Sequence, residues 1–186
     1  MGRRIFCKTV WINQEDWREK SMKKMIVTLV LLVMGIFSFS SKANAYVLNS
    51  QDVGYTCQYQ NLSSGSGYTT HLNKATAWNY SGAKVYVKSS SSGYINIYQG
   101  VVNTDNGNYG VCYYNNSRQS DIRYYRAFIN ASSAVRNETV VHEVGHALGL
   151  SHTQAANNSK AVMRATGFNN KAYPLDDDKA GMNAKY

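Results

Sequence analysis

Three of the four histidines in this 186-residue chain fall in one run, His142-Glu143-Val144-Gly145-His146-Ala147-Leu148-Gly149-Leu150-Ser151-His152. No other feature constrains the fold as tightly. On a helix, residues four apart are only about 40° out of line, so His142 and His146 project their imidazoles to one spot. Glu143 lies on a neighbouring face, within reach of a water held at that spot. His152 would be carried about 15 Å along the axis if the helix simply continued. It returns to the other two only if the chain reverses, and Gly149 permits a reversal because glycine adopts positive φ freely.

Three imidazoles are a common zinc set that leaves the fourth tetrahedral position to water. His142, His146 and His152 are therefore expected to hold one catalytic Zn2+. Zinc lowers the pKa of its water toward 7, and Glu143 is placed to act as the catalytic base, taking the proton and passing it to a leaving amine.

The net charge of +9 suggests a nucleic-acid or membrane-surface partner until its distribution is considered. Residues 1–45 carry eight Lys or Arg and three acids, and the remaining 141 residues carry a net charge of only +4. Met22–Ser40 places two lysines before an uncharged run, Met25 to Phe39, and Ala43-Asn44-Ala45 then offers a small-x-small cleavage site. This pattern is that of a secretory signal peptide spanning 22–45, with Tyr46 as the new N-terminus and the product secreted and extracellular. The apolar core is short of the ~20 residues a membrane span needs, so no stable insertion is expected after cleavage. Residues 1–21, with Glu15, Asp16 and Glu19, read as a start assigned too early or an extended n-region. Nucleic acid drops out as a partner once the leader is removed.

Residues 46–186 remain as one domain of mixed periodicity. His71–Trp78 reads as a short amphipathic helix, and Lys84–Lys88, Tyr94–Tyr98, Gly110–Tyr114 and the β-rich run Ile122–Ile129 as strands. A helix is expected from about Asn137, with Val140, Val141, Val144, Ala147 and Leu148 as its apolar stripe. A last helix starts at about Asp176. Cys57 and Cys112 are the cysteines left after the leader, and in an oxidising compartment a pair is expected to form a disulfide, worth ~3–4 kcal/mol for a loop of this length.

The run HExxHxxGxxH resembles the extended zinc motif of the metzincin metallopeptidases, whose fold carries a methionine turn beneath the metal. Met163, in Ala161-Val162-Met163-Arg164, matches that methionine. Leu175–Tyr186 is similar to the closing helix of the matrixins within that group. The resemblance is strong over 138–186 and weak before. It implies an α+β fold: a twisted, mostly parallel sheet with an antiparallel edge strand, a long active-site helix and a C-terminal helix. It also implies an endopeptidase acting on protein or peptide substrates, with a peptide pairing to Tyr109–Tyr114 and Tyr173 lining the specificity pocket. Departures are Thr153, where matrixins usually have Ser, and His71 as the sole remaining histidine, which predicts that the second, structural zinc site is missing. Asp105–Asn108 leaves room for Ca2+ but is thin for it and reads first as a plain turn. Two other readings stay open: a secreted binding or adhesion module with a structural zinc, and a zinc hydrolase of cell-wall peptides. A monomer is the default state.

Overall fold

Among the described residues there are five short strands, β1 (Thr56–Asn61), β2 (Tyr86–Ser89), β3 (Ile97–Val101), β4 (Gly110–Asn116) and β5 (Gln119–Tyr124). Of these, β1, β2 and β5 alternate between buried and more exposed side chains. In β1, Cys57 and Tyr59 point inward, and in β5 Ser120, Ile122 and Tyr124 do. β3 is buried along almost its whole length, as a central strand covered on both faces must be. The computed structural model describes residues 46–186, so the leader, its cleavage site and the early start lie outside the described residues.

The strand order is β2-β1-β3-β5-β4. The pairs β1–β2, β1–β3 and β3–β5 are parallel. β4 alone runs antiparallel, paired with β5 from Gly110↔Tyr124 to Asn116↔Gln119 with an irregularity between Tyr114 and Asn116. The sheet is therefore mostly parallel with an antiparallel edge, as the resemblance implied.

Four α-helical segments accompany it: α1 (Thr69–Leu72), α2 (Arg126–Ile129), α3 (Ser133–Ala147) and α4 (Asp176–Lys185). The long α3 starts at Ser132, whose hydroxyl accepts from Val135 N–H at 3.3 Å. Its stripe of Val140, Val141, Val144, Ala147 and Leu148 is fully buried in the single core. Trp78 closes that core from the other side and donates its indole N–H to Val141 O at 3.0 Å, which satisfies a polar atom buried among apolar neighbours.

Several expectations are corrected. The first helix begins at Thr69 and continues as a 3₁₀ turn, Asn73–Trp78. The run Ile122–Ile129 is half strand and half helix. Phe128 leaves the sheet to pack on Tyr124 and Tyr68, at ring centroids of 4.7 and 5.7 Å, and the chain coils into α2 to bring it there.

The expected disulfide is absent, and Cys57 and Cys112 are both free. The reason is topological. Cys57 lies on β1 and Cys112 on β4, with β3 and β5 between them. Three strand spacings alone put the two at least ~14 Å apart, and the register adds a four-residue offset, against the ~7 Å limit for a bridge. Burial pushes both thiols up to about 12, which makes them unreactive as nucleophiles. The intact mass of the 46–186 protein is therefore expected to match two reduced cysteines, with two thiols titrating in denaturant; a mass lower by two hydrogens would contradict this topology.

Candidate metal centre

The helix carrying His142 and His146 ends in a Schellman turn. Leu150 N–H returns to Gly145 O at 3.0 Å and Gly149 N–H to His146 O at 3.1 Å, with Gly149 at φ +108°. A side chain at Gly149 would also meet Gln51 O at 2.8 Å, so glycine is required there twice over. Beyond the turn, Ser151 N–H donates to Val47 O at 2.7 Å and Leu48 bridges Leu150 in antiparallel fashion. The returning chain then presents His152 to the other two rings.

His152 Nε2 lies 3.2 Å from both His142 Nε2 and His146 Nε2. The outer nitrogens explain the arrangement. His142 Nδ1 lies 2.9 Å from Val162 O and His146 Nδ1 lies 2.8 Å from Leu150 O. A carbonyl only accepts, so each Nδ1 carries the proton and each Nε2 turns its lone pair inward. Two lone pairs turned toward His152 Nε2 make a site suited to a cation. Tetrahedral zinc at 2.0–2.1 Å from its nitrogens would space them by about 3.3–3.4 Å, so the triad fits zinc. Burial and the neighbouring His146 push His142 down to about 3, and burial pushes His146 down to about 4. Both rings are neutral, as ligands must be. Among the described residues, this is the one cluster of three or more potential ligands.

Glu143 is buried beside them, with the Cys112 backbone N–H on β4 near enough to favour the ionised carboxylate. Burial pushes Glu143 up to about 8, with the Cys112 bond opposing. Glu143 and the three histidines line one cleft of about 540 Å³, with β4 as one wall and Arg164–Phe168 as the other. Tyr109 and Phe168 meet across it edge to face at 4.9 Å. Arg164 pairs with Glu138 at 3.5 Å deep in the same wall.

Met163 packs beneath the centre, against Gly145, where the missing Cβ leaves room for its sulfur and for Trp78. The turn around it hangs from α4. Asp178 accepts from Val162 N–H at 2.7 Å, Met163 N–H at 3.1 Å and Leu175 N–H at 2.8 Å. Burial nevertheless pushes this carboxyl up to about 6. Asp177 accepts from the Thr153 hydroxyl at 2.5 Å, and Thr153 N–H donates to Met163 O at 2.7 Å. The residue after His152 is thereby tied to both the methionine turn and the last helix.

The structure brings together His142, Glu143, His146, His152 and Met163, and it does not bring Tyr173. That residue is 51% exposed and stands away from the cleft, where Phe168 occupies the wall instead. His71 is engaged elsewhere, with Nδ1 at 2.7 Å from Asn137 Oδ1. In the Asp105–Asn108 loop, Asp105 and Asn106 accept from the backbone two residues on, which is ordinary turn chemistry. The Cys112 N–H on Glu143 left no trace in the sequence, because a backbone donor has no residue type.

Compared with known families, residues 36–186 match the model of the matrixins. Among solved structures the chain resembles myroilysin, with a TM-score of 0.52 and 14% identity over 77% of this chain and 96% of that one. This likeness is one of fold. No curated protein matches by sequence.

A Gly145→Ala substitution would press a methyl group into the Met163 sulfur and Trp78. It is expected to cost ~1–3 kcal/mol, read as a lower urea midpoint at unchanged slope.

Proposed function

The chain belongs to the matrixin family and is a zinc metalloendopeptidase, and from that premise we propose that it is a secreted enzyme whose zinc is held by His142, His146 and His152. The observation that carries this assignment is the convergence of the three histidines, with His152 Nε2 3.2 Å from the other two Nε2 atoms, beside a buried carboxylate. Zinc held there supplies Lewis acidity, which polarises a scissile carbonyl and brings the pKa of water toward 7.

The chain's own residues do the rest. Val162 O and Leu150 O fix the tautomers of His142 and His146, so that both lone pairs point into the cleft. Glu143 takes a proton from water and returns it to the departing amine, and the cation beside it would favour the ionised carboxylate that this requires. β4 is paired on one side only, and its outer edge lies along the cleft. A substrate peptide laid against that edge would extend the sheet and set its carbonyl beside the histidines.

The test is hydrolysis of a quenched fluorescent peptide library, with peptidoglycan fragments as a second substrate. Glu143→Gln is expected to lower kcat/KM by about 10²–10⁴ while zinc stays bound, and a chelator should abolish cleavage. Full activity in Glu143→Gln would remove Glu143 from the mechanism. Secretion is supported by the basic, apolar and A-x-A order of residues 22–45. N-terminal sequencing of exported protein is expected to begin at Tyr46, and a retained leader would overturn that assignment.

A further inference from the structure

We propose that Asn49 is a positioning residue for the metal centre, clamping the turn that leads from His146 to His152; this rests on the zinc reading above. Asn49 is distant in sequence from every ligand, yet its side-chain amide donates to His146 O at 3.0 Å and to Leu150 O at 2.9 Å. These are the two ends of the turn. Leu150 O is also the acceptor that orients His146 Nδ1, at 2.8 Å, so one carbonyl oxygen receives the ring and the Asn49 amide together. The second donor holds the Leu150 peptide in the one orientation that serves the ring.

The same amide nitrogen lies 2.9 Å from the Tyr114 hydroxyl, which shares one of its two N–H groups and places the turn beside β4 and the cleft wall. Three further bonds hold Asn49, and a fourth holds Val47 two residues earlier. Its Oδ1 accepts from Gln51 N–H at 2.8 Å and its N–H donates to Gly149 O at 2.8 Å. Its carbonyl accepts from Lys185 Nζ at 3.1 Å, and the preceding Val47 O accepts from Ser151 N–H. An ordinary structural asparagine would satisfy itself within its own loop. This one spends its donors on the carbonyls of the zinc turn, so its effect is expected on metal binding as well as on stability.

Asn49→Ala and Asn49→Asp test this against Gln51→Ala. Gln51 is buried in the same segment, but its side chain bonds Asn116 O and the Ser120 hydroxyl, away from the histidines. Zinc affinity by chelator competition, thermal stability of metal-free protein and the kcat and KM of peptide cleavage are read for each. Both Asn49 variants are expected to lose ten- to a hundredfold in zinc affinity. Asn49→Asp should lose more, since its carboxylate would face two carbonyl oxygens. Gln51→Ala should lose stability with its zinc affinity kept. Equal zinc losses in all three variants would overturn the proposal.

Should the Asn49 variants fail to fold, long-range proton–nitrogen spectra of the metal-free wild type decide. A single Nδ1-protonated tautomer at His146 supports the clamp, and a tautomer mixture sinks it. A wild type that binds zinc without cleaving peptides would defeat the peptidase mechanism and leave the affinity comparison intact.

Discussion

Three imidazoles converge on one point, with His152 Nε2 3.2 Å from the Nε2 atoms of both His142 and His146, and the fold must hold them there. It does so from behind. Each of the two helical histidines donates its Nδ1 proton to a carbonyl on a segment that follows it in the chain, Val162 or Leu150. Those carbonyls are in turn fixed, Val162 through its N–H on Asp178 and Leu150 through the Schellman turn and Asn49. The preorganised centre is thus a chain of oriented peptides that ends in the histidines.

Burial then sets the electrostatics. The same exclusion of water that keeps His142 and His146 neutral raises Glu143, so ligands and base are tuned by one cause acting on opposite charge types. Without a metal a carboxyl near 8 is largely protonated at neutral pH, and a cation held by the histidines would favour its ionised, basic form. The Cys112 N–H acts in the same direction.

Helical periodicity and the glycine at position 149 made the centre legible in the sequence. A period of 3.6 brings His142 and His146 together whatever the rest of the fold does, and the ten-residue step to His152 requires a reversal. The sheet was less readable. β1 carries only Cys57 and Tyr59 inward among polar neighbours, so its alternation was too short to register. The strand after Asp121 stops early because Phe128 gains more from packing on Tyr124 than from staying in the sheet. The cysteine pairing failed for a different reason. Pairing depends on strand order, and strand order is a property of crossovers that local patterns do not encode. Asn49 was invisible on the same ground, since its partners lie about a hundred residues away in sequence.

Asp177 and Asp178, which hold the methionine turn and the residue after His152, belong to the last helix. A chain is made and exported from its N-terminus, and its domains fold as units once their parts have emerged. The helix bearing two histidines can form early, but the peptide that aims His142 has no anchor until Asp178 has emerged. Maturation of the centre therefore waits on synthesis of α4: a product cut ahead of Asp177 retains its histidines and loses the scaffold that aims them.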